Sequence, residues 1–259
     1  MARDSITSRR NLLRLLAGGA ALAAGARESR AGETHIEKLI AESRIHGGIS
    51  QRIDFISAAL RGTRYLGYTL IGGPRQQEVF VARDDGFDCV TYCETVLAAA
   101  IARNLGEFET TLREIRYHNG VVTWRERNHY FFEWGEHNVE NKICKPVVMD
   151  GEVEIDKTVY WHKELGKRHF AMKVIPHKVF FARKNELMTG DIVGFVTHRP
   201  NLDYFHVGFV IVGPQGELLL RHAALSRHRV VDERMDRFMA VNGVDYVTLL
   251  RPQEPPNPA

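Results

Sequence analysis

Three cysteines in 259 residues are too few, and odd in number, for a disulfide framework. Cys89 and Cys93 stand one helical turn apart on the same face, a poor geometry for bridging each other. They lack the second cysteine pair or neighbouring histidine of a zinc site, so no metal and no other cofactor is expected. Cys144 falls in an irregular stretch and suggests no role. There is no apolar segment of the kind that spans a membrane: Leu15 to Ala26 is only twelve residues, against the roughly twenty that a spanning helix needs. No stable membrane anchor is therefore expected. Basic charge is also scarce where nucleic acid would need it. Residues 1–31 hold six Arg and two acidic residues, leaving 29 basic against 30 acidic in the remainder, a net of −1. With no basic stripe and no interleaved aromatics, a nucleic-acid partner is excluded. No internal repeat is visible.

What the first 31 residues do contain is a leader pattern. Ser8-Arg9-Arg10-Asn11-Leu12-Leu13-Arg14 precedes the short Ala- and Gly-rich run, the order of a twin-arginine signal and its apolar segment. Cleavage after Ala26 or after Ala31 suits a small-residue rule. This predicts a protein exported in the folded state, periplasmic or otherwise outside the bacterial inner membrane.

The remainder has an ordinary globular composition, 44% hydrophobic and 26% charged. Apolar spacing predicts a helix over 34–46, closed by Gly47-Gly48, and a second capped by Ser50 and ended by Gly62. Gly86-Phe87-Asp88 turns into an apolar, Ala-rich helix from Cys89 to about Leu105, followed by a shorter one over 107–117. The aromatic-rich 128–134 reads as a helix face or the wall of a site, and 138–184 as an insertion of short strands and loops. The last third reads as β: strands over 190–197, 205–212, 217–223, 228–231 and 246–251, a helix over 232–241, and a hairpin turn at Gly213-Pro214-Gln215-Gly216. Four prolines between Arg251 and Ala259 predict a frayed tail.

Cys89 is thus placed in the first turn of a helix, where unpaired N–H groups and the positive end of the macrodipole favour a thiolate over a thiol. A cysteine in an apolar segment is also simply a small hydrophobe. What favours a nucleophile lies downstream. His206 sits among apolar residues on a central strand, and His222 lies across the hairpin, close to a cross-strand partner of His206. Nucleophile, base, orienting group and helix N-terminal donors are the parts that acyl transfer by a thiol requires.

Gly62-Thr63-x-Tyr65, Phe87-Asp88-Cys89-Val90-Thr91, Arg127-x-His129-Tyr130-Phe131, Gly190-Asp191-Ile192-Val193, Asp203-x-x-His206-Val207-Gly208 and His222-Ala223 occur in this order. Together they resemble the N-acetylmuramoyl-L-alanine amidase-like branch of the NlpC-type, papain-like cell-wall hydrolases, over roughly residues 50–252. The resemblance implies an α+β, papain-like cysteine hydrolase fold, with the Cys-bearing helix packed on an antiparallel sheet. With the leader and tail read above, the chain divides into a signal peptide over 1–31, one hydrolase domain over 32–252 with the insertion near 138–184, and a Pro-rich tail over 253–259. The resemblance also implies hydrolysis of an amide bond in peptidoglycan or muropeptides. By position, Cys89, His206 and His222 would be catalytic, Tyr65 and Asp88 would line the site near the oxyanion, and Arg127, His129 and Tyr130 would contact substrate. Tyr92-Cys93, Tyr204-Phe205 and Ala224 depart from the expected pattern around the pocket. A stem-peptide endopeptidase, a non-catalytic muropeptide-binding domain and a transglutaminase-like acyltransferase remain alternatives.

Overall fold

In the computed structural model, which describes residues 34–254, the side chains of Thr34, Asp88 and Asn104 cap the helices that follow them. The leader and residues 255–259 of the tail lie outside the described residues. α1 (His35–Ser43) and α2 (Ile49–Ala59) bury Ile36, Leu39, Ile40, Ile53 and Ile56. Gly48 rather than Ser50 takes the cap position of α2. Gln51 reaches back to accept the Gly47 N–H at 2.9 Å, leaving the Ser50 hydroxyl to donate to the Thr189 carbonyl. A short antiparallel hairpin, β1 (Ile71–Gly73) and β2 (Gln76–Val79), leads to α3 (Cys89–Ile101).

α3 is the central helix, buried continuously from Thr91 to Ala100. A helix apolar on every side belongs inside the protein. It is shorter than its sequence pattern, because Ala102 turns to extended backbone and Asn104 caps a new helix, α4 (Leu105–Arg116), accepting the Glu107 N–H at 2.9 Å. α5 (Phe131–Glu140) follows.

The remaining elements build one antiparallel sheet. They are β3 (Cys144–Pro146), β4 (Val153–Val159), β5 (Arg168–Pro176), the helix α6 (His177–Ala182), β6 (Ile192–Val196), β7 (Tyr204–Val212), β8 (Leu218–Ala224), β9 (Arg229–Arg234), the helix α7 (Met235–Asn242) and β10 (Tyr246–Pro252). The order is β4-β5-β10-β6-β7-β8-β9, with β3 also on β10. The last strand is therefore inserted between β5 and β6. The 138–184 segment, expected as an insertion of short strands and loops, contains the end of α5 and all of α6 and extends the main sheet through β10. β9 continues three residues past its expected end, and α7 starts correspondingly later.

Side-chain alternation along β7 divides two layers. Val207, Phe209 and Ile211 join the core around α3, while Val210 joins a second core with Val193, Phe195, Leu220 and Met239. Gly190 opens β6 at a φ of +94°, and Asp191 after it is buried, paired through both oxygens with Arg251 at 2.7 and 2.8 Å. That pair ties β6 to β10. The chain also stays docked beyond Arg251, contrary to the fraying expected there: Gln253 N–H donates to the Ile143 carbonyl, and Glu254 accepts from Ile49 N–H and Arg52, each at 2.5 Å. The Pro-rich composition does not prevent the Glu254 carboxylate from capping the start of α2.

Candidate active site

The site begins with a cap. Asp88 is the N-cap of α3: its carboxylate accepts the Thr91 N–H at 2.8 Å, and Thr91 Oγ1 accepts the Asp88 N–H at 3.0 Å, a reciprocal capping box. The Asp-x-x-Thr spacing therefore fixes the entry of the helix and holds Cys89 in its first turn. The preceding residues are pinned as well. Phe87 and Tyr65 form a parallel bridge, with Leu66 N–H donating to Phe87 O at 2.8 Å and Phe87 N–H to Arg64 O at 3.1 Å. A Cβ on Gly86 would lie 2.3 Å from Leu66 Cδ1, so only glycine permits this approach. Tyr65 is thereby brought beside Cys89 and Asp88; burial, then their charges, push its phenol up to about 12, so it remains a donor at neutral pH.

From β7, the backbone N–H of Val207, with the N–H groups of Cys89 and Val90, favours the ionised form of the Cys89 sulfur. Burial and the adjacent Asp88 carboxylate outweigh these donors and push the thiol up to about 12. A helix terminus contributes at most about 2 kcal/mol. The expectation of a resting thiolate is therefore corrected: Cys89 is half-buried and carries a thiol. Cys93 and Cys144 are fully buried and pushed up by desolvation, small core residues rather than nucleophiles.

His206 and His222 meet directly, Nε2 of the first 2.5 Å from Nδ1 of the second, with the rings edge to face. The register pairs Phe209 with Arg221, which makes them diagonal rather than opposite neighbours. The space for this contact comes from Gly208, where a Cβ would lie 2.9 Å from His222 Cβ. Phe238 of α7 packs against both rings at 5.4 and 5.3 Å and Phe195 stacks beside His206, so the pair is largely dry. Burial, with His222 alongside, lowers His206 to about 3; burial lowers His222 to about 4, against the opposing carboxylate of Glu233. Both are neutral imidazoles at pH 7. The Cys89 thiol and the His206 ring are not hydrogen-bonded to each other: what β7 presents to the sulfur is the backbone N–H one residue along.

Arg127, His129 and Tyr130 are already engaged with the protein. Arg127 pairs with buried Glu78 at 2.8 Å, and Glu78 also accepts from Tyr117 at 2.9 Å. His129 Nε2 lies 2.6 Å from the Trp124 carbonyl, and the buried Tyr130 hydroxyl accepts the Trp161 N–H at 3.0 Å. These residues knit the start of α5 to the β4–β5 loop. Asp203 joins in by accepting the Phe132 N–H at 2.7 Å, close before His206 in the chain. Arg221, beside His222, points to the other layer, bonded to Asp232 at 2.7 Å and Asp54 at 2.8 Å. Glu233, 3.5 Å from His222 Nε2, has no sequence signal of its own. Strand alternation, placing 231 and 233 on the His222 face of the next strand, is what could have found it.

Cys89 in the first turn of a buried helix, and two bonded histidines on an antiparallel sheet, belong to an α+β protein. Residues 55–244 match the AmiA-like family model, described as N-acetylmuramoyl-L-alanine amidase-like, and the chain belongs to that family. Membership brings a hydrolase reading of the amidase type, with peptidoglycan as the substrate class. No curated protein matches the chain in sequence. Among solved structures, a Legionella pneumophila protein is similar with a TM-score of 0.74 and 22% identity, over 86% of this chain and 95% of that one. An N-acetylmuramoyl-L-alanine amidase from Bacteroides uniformis is similar with a TM-score of 0.63 and 20% identity, over 76% and 97%. At these identities the likeness is one of fold. Among the described residues no helix is long and apolar enough to cross a membrane.

Proposed function

We propose that the chain is a papain-like, NlpC-type cysteine amidase that cleaves the amide between the lactyl carboxyl of muramic acid and the stem peptide, after export through its twin-arginine leader. The observation that carries this reading is the 2.5 Å His206–His222 contact on the strand whose Val207 N–H favours the ionised form of the Cys89 sulfur. The Arg9-Arg10 leader supports the location outside the inner membrane, where peptidoglycan lies.

The resting state is thiol and imidazole, so attack is general-base catalysed. The His206 ring packs with Phe195 and Phe238 on the face of β7 turned away from α3, so this reading requires substrate binding to bring the ring round to the sulfur. His206 takes the S–H proton as sulfur bonds to the carbonyl carbon. The Cys89 N–H and the Tyr65 hydroxyl donate to the developing oxyanion. His206 then gives its proton to the leaving amine as the C–N bond breaks, releasing the peptide and leaving a thioester. A water loses its proton to His206 and attacks that thioester; the carboxylic acid leaves and the thiol re-forms. Arg127, His129 and Tyr130 serve the substrate through the wall they hold beside Asp203.

Muropeptides incubated with wild type beside Cys89→Ala, and read by mass spectrometry, test the assignment. Release of intact stem peptide by wild type alone is expected. Shortened stems would move the cut to an endopeptidase site. No Cys89-dependent product would overturn the enzyme reading in favour of a binding domain.

A further inference from the structure

Among the described residues, His222 Nε2 is a buried nitrogen without a hydrogen-bond partner at ordinary distance, and the residue is only 2% exposed. An orphan of this kind is costly unless something completes it. One acceptor faces it: Glu233 Oε2 on β9, 3.5 Å away. Glu233 is itself aimed by a cation, Arg227, at 3.0 Å. It lines a surface cavity of about 560 Å³ with Arg227, Arg234, Arg237 and Phe238, and Phe238 forms the wall between that cavity and the two imidazoles.

We infer that Glu233 is a positioning residue of this site, acting through His222 to set the tautomer of His206; the inference rests on the function proposed above. A carboxylate accepts and does not donate, so the hydrogen facing Glu233 belongs to His222 Nε2. A neutral imidazole carries one hydrogen, which leaves His222 Nδ1 bare. The 2.5 Å contact then requires the hydrogen of His206 on Nε2, directed at His222. The only lone pair left on His206 is Nδ1, and that atom is the base. When Nδ1 takes the thiol proton, the charge on His206 faces His222 and, beyond it, the Glu233 carboxylate. The same logic underlies the carboxylate that orients a catalytic histidine in other hydrolases.

The charged groups around this chain are few. His222 faces His206 across β7, Glu233 and Asp232 from β9, and apolar Phe238 from α7. Asp232 is neutralised by Arg221 and Arg61. Glu233 faces Arg227, with Arg237 on α7 lining the same cavity.

Two measurements on the full-length protein test this. Nitrogen-15 spectra of the imidazoles at pH 7 should show His222 as the Nε2–H tautomer in wild type and a changed tautomer population in Glu233→Ala. An Nδ1–H His222 in wild type overturns the inference, whatever the enzyme does. In muropeptide turnover, Glu233→Gln should lower kcat by about tenfold with KM unchanged, a loss on the scale of other outer-shell orienting groups. It should also shift the acid limb of the kcat profile to lower pH, because a negative charge near the imidazoles is gone. Adding Glu233→Gln to His222→Ala should cost nothing further, since its effect passes through His222. Additive losses, or an unmoved pH profile, refute the inference. Absence of turnover in wild type would refute the proposed function alone and leave the tautomer measurement standing.

Discussion

At Cys89 the helix terminus and the burial of the site pull in opposite directions, and burial prevails. A thiolate–imidazolium pair would make the sulfur reactive at all neutral pH values; a thiol beside a neutral imidazole makes it reactive only when a proton is removed. Alkylation of Cys89 by iodoacetamide in the resting protein should accordingly be slow at pH 7 and climb steeply only above pH 9, the ordinary thiol value from which Cys89 is raised. The rate is followed by intact mass, with Cys89→Ala as the blank. A plateau of fast alkylation reaching down to pH 6 would mean that the ion pair already exists at rest. Cys93 and Cys144 should stay unmodified in the folded protein, because no path reaches them. The same balance governs Tyr65. Its phenol keeps its proton at neutral pH, as the oxyanion donor proposed above must.

The helix and the hairpin that carry the site were legible in the sequence to different depths. The start of α3 was readable to the residue, since Asp88 and Thr91 write a capping box and Gly86 marks the turn before it. Its end was not, because an Ala-rich pattern runs through Ala102 and only the backbone turn there, with the Asn104 cap, stops it. The histidine pair was readable as two adjacent strands joined by a tight turn. Its diagonal geometry was hidden, because it depends on the loop between Val212 and Leu218 and on a glycine that leaves room for an imidazole. That dependence is testable. In Gly208→Ala the new Cβ would sit 2.7 Å from Leu220 Cδ1 and 2.9 Å from His222 Cβ, so both contacts must open. The Leu220 methyl can yield at an overpacking cost of about 1–3 kcal/mol, but His222 carries its imidazole with it. The shorter path for the imidazole is outward, and turnover should fall at least tenfold while the circular dichroism spectrum stays native. Full turnover at a lowered melting temperature would assign Gly208 to core packing alone.

Across the whole molecule, several charged residues close to the site in sequence hold the layers together. Arg221 precedes His222, and Asp191 stands in the Gly190-Asp191-Ile192-Val193 motif, yet they bind Asp232 with Asp54, and Arg251. Glu94 and Arg116 form a pair buried on both sides at 2.7 Å. A sequence shows that such charges exist; which of them are paired inside the protein depends on contacts between strands far apart in the chain, which no local pattern reveals. The histidines differ from these pairs, because they are buried or half-buried without charge, and this leaves a signature in stability. Burial lowers His206 to about 3, and His222 and His129 to about 4, from an ordinary 6.5. Between those values and 6.5 the unfolded chain binds protons that the native state refuses, so stability rises with pH across this window. The penalty is absent above about 6.5 and grows as pH falls toward 3. Glu94, Glu133 and Asp203, raised by burial, act with the opposite sign, so the difference between variants is more informative than the wild-type curve. In urea denaturation, His206→Gln should lose less stability than wild type between pH 7 and pH 4.5, so that the gap between the two proteins narrows or reverses on acidification. Parallel curves would mean that His206 takes up a proton in the native state as readily as in the unfolded chain. The dry pair described for the site, and the neutral base on which the mechanism depends, would then both be wrong.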